Sequence, residues 1–232
     1  MTWYPKLWEL DYGSLLSYTP RPDSDDVVKL ERMKKSRNIA NYLKGDRMVP
    51  PNGRPDSKPI PMSGYVAQLL KDNLSTLPFS DYFGVETVLV PVPRSSLTKA
   101  GGLWVPERIA EAILLRHLAR NVEKCLIRTA PVRKSAWSAP SERPLPSTHY
   151  ESLAVQTRLQ DVEEIVLVDD VVTRGSTLLG AANKLLDAFP GARIRAFAAM
   201  RTISNPHDFG RLFQPVKGKI EWRWEGDTIR SP

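Results

Sequence analysis

One stretch, Ile165-Val166-Leu167-Val168-Asp169-Asp170-Val171-Val172-Thr173-Arg174-Gly175-Ser176-Thr177, limits the possible folds more than any other part of the chain. Its opening run of four apolar residues reads as a buried strand. Asp169 and Asp170 then stand at the carboxyl end of that strand, where open α/β sheets bind their ligands. The next five residues, Thr173 through Thr177, lead straight into a helical pattern over 176–189, with Leu178, Leu179, Ala182, Leu185, Leu186 and Phe189 on one stripe. A loop feeding a helix N-terminus offers unpaired backbone N–H groups at the positive end of the helix dipole. Gly175 lets the backbone come close to an anion, Thr173, Ser176 and Thr177 add hydroxyls, and Arg174 adds charge. This half of the element suits a phosphate. The carboxylates suit the opposite: they repel a phosphate, accept hydrogen bonds from hydroxyls, or hold a hard cation. A ribose 5-phosphate, with its phosphate a few ångströms from vicinal hydroxyls, satisfies both halves.

The flanking sequence supplies the architecture. Residues 86–92 read as a buried strand, Pro106 and Glu107 open a helix with Ile109, Ile113 and Leu114 on one face, and 125–128 and 194–200 read as further strands. Strands alternating with helices imply an α/β fold with a mainly parallel sheet flanked by helices. Upstream, 26–44 reads as a helix with Val27, Val28, Leu30, Ile39 and Leu43 as its apolar positions, and Ser63 as the cap of a second helix carrying Val66, Leu69 and Leu70. The proline-rich 45–62 between them reads as a linker. Residues 1–20 hold Trp3, Tyr4, Trp8, Tyr12 and Tyr18 and are expected to cover an edge of the core. The alternation Ile220-Glu221-Trp222-Arg223-Trp224 suits an edge strand or hairpin. Three units result: an N-terminal extension and hood over 1–85, a core over 86–202, and a C-terminal extension over 203–232.

The 165–177 segment closely resembles the phosphoribosylpyrophosphate-binding motif of type I phosphoribosyltransferases, an apolar run, two acidic residues and a Thr-x-Gly-x-Thr loop. The resemblance implies that Asp169 and Asp170 meet the ribose hydroxyls and that Thr173, Arg174, Gly175, Ser176 and Thr177 wrap the 5-phosphate. It also implies a pyrophosphate-binding loop at Arg94, Ser95 and Ser96, after Val88-Leu89-Val90-Pro91-Val92-Pro93. A wider likeness, over 86–202, is to the ComF-like branch of that superfamily. Pro91-Val92-Pro93 is similar to its Pro-x-Pro, Gly102-Leu103-Trp104-Val105-Pro106-Glu107 to the Gly-Phe-Asn-Gln region before its next helix, and Leu126-Ile127-Arg128 and Glu142-Arg143 to its later Leu-x-Arg and Glu-Arg positions. The four-cysteine zinc ribbon with which such proteins often begin has no counterpart here. An acidic pair at a strand end also occurs in phosphoacceptor receiver domains, though without a phosphate-type loop directly after it. A nucleotide P-loop would need Gly-Lys-Ser/Thr, which the segment lacks. A plain strand-turn-helix with an Asp cap is the remaining alternative.

Residues 129–150, rich in proline and serine, read as an irregular lid, with Lys134, Ser135 and Arg143 as candidate contacts to departing pyrophosphate and His149 as a solvated ring. The single cysteine, Cys125, excludes an internal disulfide and any cysteine-based zinc site, and its apolar neighbours mark it as a buried structural thiol. The start of the chain lacks signal-peptide form, and no apolar run is long enough to span a bilayer, so a soluble cytoplasmic protein is expected. The formal net charge of +7 fits a polyanionic substrate or a nucleic acid. Two functions follow. One is a glycosyltransferase that moves phosphoribosyl from 5-phosphoribosyl-1-pyrophosphate to a nitrogenous acceptor, with Mg²⁺ as cofactor, Asp169 and Asp170 touching the ion directly or through water, and a homodimer as a common assembly in the superfamily. The other is a non-catalytic sensor of the same ligand, or a nucleic-acid-associated accessory protein.

Overall fold

The computed structural model describes residues 3–51, 57–97, 101–133, 144–156 and 162–232. A seven-stranded sheet organises them. Its members are β1 (Glu9–Tyr18), β4 (Thr87–Pro91), β5 (Asn121–Val122), β8 (Glu164–Val172), β9 (Arg193–Thr202), β10 (Phe213–Trp222) and β11 (Thr228–Ser231), in the order β11-β10-β1-β9-β8-β4-β5. From β1 to β5 neighbouring strands are parallel, whereas β10 runs antiparallel to β1, and β11 antiparallel to β10. This is the α/β, mostly parallel sheet expected from the alternating pattern. Two short ribbons lie apart from it, β2 (Met48–Val49) with β3 (Ile60–Pro61), and β6 (Leu126–Arg128) with β7 (Leu153–Val155).

Helices cover both faces, because successive side chains of a strand point to opposite sides. Leu89, Val166, Val168, Phe197 and Ala199 face a cluster built from α1 (Val27–Lys44), α2 (Met62–Asn73) and α3 (Val105–Leu114). Val88, Val90, Ile165, Leu167, Ala196 and Ala198 face α5 (Ser176–Ala188). The interleaving of the two lists is the period-2 signature of strands buried twice, and it explains why 165–168 carries no polar residue.

Several expectations are corrected. Residues 9–18 lie inside the sheet, between β9 and β10, so the aromatic N-terminus includes an interior strand as well as an edge. Residues 125–128 do not join the parallel sheet: β5 holds the edge beside β4, and β6 instead pairs antiparallel with β7, burying Cys125 and Leu126 beneath α5 with Leu153. The first helix forms where expected but buries Met33, Ser36, Ala40 and Leu43, leaving Val27 71% and Val28 61% exposed. Ser63 does not cap the second helix. It is a helical residue whose N–H donates to the Asp46 carboxylate at 2.8 Å, after Pro61 has set the entry. The irregular stretch 129–150 ends in structure: Pro146 opens the short helix α4 (Pro146–Glu151).

Candidate phosphate and ribose site

The sheet order places a crevice at the candidate residues. β4 and β8 are parallel neighbours, with Pro91 opposite Val168. From β4 the chain passes through α3 to β5 on one side, and from β8 through α5 to β9 on the other. The two connections diverge, so a gap opens beyond the carboxyl ends of β4 and β8, the switch point at which such sheets bind ligands. Val92 N–H donates to Val168 O at 2.9 Å, so Arg94 leaves the sheet beside Asp169.

The strand continues through both carboxylates to Val172, further than the apolar run alone predicts. Asp169 and Asp170 are half-buried. Each accepts a local backbone hydrogen bond: Asp170 N–H to Asp169 Oδ1 at 2.9 Å, and Val171 N–H to Asp170 Oδ1 at 2.8 Å. Desolvation, and after it the Asp170 charge, pushes the Asp169 carboxyl well above the usual carboxylate range; the buried Arg128 guanidinium works against this. Among the described residues no three His, Cys, Asp or Glu side chains gather to hold a metal ion unaided.

Gly175 stands at the head of α5 with φ +92° and ψ 5°, a left-handed conformation that glycine adopts without penalty. As the N-cap residue, Gly175 has no side chain with which to cap that helix end. The donors of the first turn therefore lack the side-chain partner that most helices supply. Thr173, Gly175, Ser176 and Thr177 line a small open cleft together with Asp169 and Pro144. The absent side chain of Gly175 has a second cause. A Cβ there would stand 2.6 Å from Cδ1, Cγ1 and Cγ2 of Ile220, so the loop is pressed against β10.

The C-terminal hairpin, β10 and β11, backs this loop residue by residue. Arg230 donates to Thr173 O at 2.6 Å, to Tyr12 Oη at 2.6 Å and to Thr202 O at 2.7 Å. Ser176 Oγ and Thr228 Oγ1 are 2.9 Å apart, and Arg174 lies 3.7 Å from the Asp227 carboxylate. Sequence reading missed Arg230, Thr228, Asp227 and Ile220, since no spacing rule links positions more than forty residues apart. The polar-apolar alternation at 220–224 was the only signal they left.

The candidate residues after β4 follow its carboxyl end and are not among the residues that line the cleft. Arg94 is exposed, while Ser95 and Ser96 are half-buried. Arg128 donates to Arg94 O at 3.1 Å, and Val132 N–H to Ser95 O at 2.8 Å. Because each peptide is planar and trans, the N–H groups of Ser95 and Ser96 point away from that segment. Arg128 itself is 4% exposed, donates to Ser152 Oγ at 2.6 Å, and has a buried Nη2 without a partner among the described residues. Burial lowers its pKa to about 10, which leaves it cationic at neutral pH. Lys134, Ser135 and Arg143 lie outside the described residues.

His149 departs from its expected solvated state. It is 3% exposed, with Nε2 3.2 Å from Thr177 Oγ1. Burial, and after it the Arg128 charge, lowers its pKa to about 3, so the ring is neutral. Tyr150, its neighbour, donates to the Asp187 carboxylate at 2.6 Å and carries Lys184 Nζ 3.9 Å from its ring centre. No family model matches this chain, and no curated protein matches it.

Proposed function

We propose that this chain binds 5-phosphoribosyl-1-pyrophosphate at the crevice beyond β4 and β8 and transfers its phosphoribosyl group to a nitrogenous acceptor, releasing pyrophosphate. The observation that carries the reading is the juxtaposition, in one cleft at a switch point, of a glycine-headed helix N-terminus with the Asp169 carboxylate, next to which Asp170 stands in the chain. An anion cradle and a hydroxyl-accepting pair so placed match a ribose 5-phosphate end to end. The type I phosphoribosyltransferase resemblance of 165–177 points the same way.

In this reading Thr173, Ser176, Thr177 and the first amides of α5 hold the 5-phosphate, and Asp169 and Asp170 orient the ribose. Arg94 and the amides of Ser95 and Ser96 receive the pyrophosphate. Mg²⁺ fits as a companion ion: two carboxylates fall short of an octahedral shell, so substrate oxygens and water would complete it. When bound, the ion would neutralise charge on the leaving pyrophosphate. The protein's own part is to align the anomeric carbon with the acceptor and to stabilise the leaving group through fixed donors. No protein nucleophile is needed.

A non-catalytic role, sensing the same ligand while contacting a nucleic acid, draws its support from the net charge of +7. One experiment separates the two. Calorimetry with Mg²⁺ and 5-phosphoribosyl-1-pyrophosphate, followed by pyrophosphate release against a panel of nucleobases, gives binding with turnover for the enzyme and binding without turnover for the sensor. No binding in either assay refutes the reading.

A further inference from the structure

The cleft wall contains a buried ring that the phosphate reading does not use. His149 comes from α4, which is docked so closely on α5 that a Cβ on Gly180 would stand 2.5 Å from Pro146 O and 2.8 Å from His149 Cβ. This contact fixes the imidazole beside Thr177, a residue that lines the cleft. The two ring nitrogens have different surroundings. Nε2 faces Thr177 Oγ1, whereas Nδ1 is buried with no hydrogen-bond partner among the described residues.

A neutral imidazole carries one N–H and one bare nitrogen. With the proton on Nδ1, a buried donor would be orphaned, the rarer and costlier fault in folded proteins. With the proton on Nε2, the donor meets Thr177 Oγ1 and only a lone pair goes unpaired. Thr177 Oγ1 then accepts from the ring, and its own proton must point elsewhere. Thr177 lines the cleft, which is a direction open to that proton.

We propose that His149 is a positioning residue that sets the direction of the Thr177 hydroxyl: His149 Nε2–H donates to Thr177 Oγ1, and the Thr177 O–H is thereby aimed at an anionic oxygen in the cleft. The ligand side of this inference rests on the phosphate reading above; the tautomer does not. A hydroxyl free to rotate can present either a proton or a lone pair to an anion, and the buried ring removes the repulsive choice before ligand arrives.

Nitrogen-15 NMR of the ligand-free protein reads the tautomer directly, with His149→Gln identifying which of the three histidine rings is responsible. The expected result is an Nε2–H ring. Calorimetry with ribose 5-phosphate then compares His149→Gln, which keeps a donor near the Nε2 position, with His149→Leu, Thr177→Val and the double variant. We expect His149→Gln to bind nearly as well as the parent and His149→Leu to bind roughly three- to tenfold more weakly, the worth of one neutral hydrogen bond. The double variant should bind no worse than Thr177→Val, a non-additivity that a purely structural histidine would not produce. An Nδ1–H ring, or losses that add, overturns the inference. An Nε2–H ring in a protein that does not bind ribose 5-phosphate upholds the hydroxyl orientation and refutes the phosphoribosyl reading instead.

Discussion

Replacing Gly175 by alanine tests the loop and its support together. Two costs can be worked out from the geometry. A φ of +92° places an L-residue in the left-handed region, at roughly 1–2 kcal/mol. The added methyl would stand 2.6 Å from three carbons of Ile220, a fully buried side chain, and overpacking of this kind costs roughly 1–3 kcal/mol. Gly175→Ala should therefore destabilise the chain by roughly 2–5 kcal/mol. Ile220→Ala alone, a large-to-small change in the core, should also lose roughly 2–5 kcal/mol. In the double variant the new methyl enters the space vacated by Ile220, so the steric cost disappears while the backbone cost stays. The double should be more stable than the sum of the singles by roughly 1–3 kcal/mol. Urea denaturation of the four proteins supplies the cycle, and calorimetry with ribose 5-phosphate on the double variant shows whether the repaired loop still holds an anion. Additive losses, or a Gly175→Ala protein within roughly 0.5 kcal/mol of the parent, would refute the claim that the β10 wall shapes this loop.

Asp169→Asn with Asp170→Asn should leave the fold intact and weaken binding of Mg²⁺ and 5-phosphoribosyl-1-pyrophosphate by roughly 1.5–3 kcal/mol, since hydrogen bonds to charged groups are lost; calorimetry reads it, and parental affinity would contradict the ribose placement. Arg230→Ala should cost on the order of 2–3 kcal/mol in urea denaturation, because the Thr173 and Thr202 carbonyls and the Tyr12 hydroxyl lose a shared donor, and should weaken ribose 5-phosphate binding as the loop loosens. Arg174→Ala should weaken that binding less than Gly175→Val, because it leaves the backbone donors and their approach intact, whereas a side chain at Gly175 disturbs the loop that presents them; the reverse order would favour a simple basic patch. For pH, His149 has a folded pKa of about 3, below its unfolded value near 6.5, so its contribution is complete above pH 6.5 and is lost as pH falls towards 3, at about 1.4 kcal/mol per pH unit. Asp169, raised in the folded state, acts in the opposite sense as it takes up its proton. Comparing the pH dependence of stability in the parent and in His149→Gln cancels the carboxyl and isolates the ring: the variant should resist acid better, and identical slopes would refute the assignment.

What the sequence determined by itself was local in origin. The apolar run 165–168, the stripe from Leu178 to Phe189 and the glycine between them are set by strand and helix periodicities and by φ, properties of neighbouring residues. They were enough to foresee a parallel sheet, a strand turning into a helix, and the candidate loop at 173–177. Only the tertiary structure decided what stands behind that loop. Ile220 fills the space left by Gly175, Arg230 holds the Thr173 carbonyl, and β1 enters the sheet between strands from the far end of the chain, through pairings that no short-range pattern encodes. His149 shows the difference most plainly. In a polar, proline-rich stretch a lone histidine reads as solvated, because its own neighbours offer nothing to bury it. It is buried because Gly180, on another helix, has no side chain to keep α4 away.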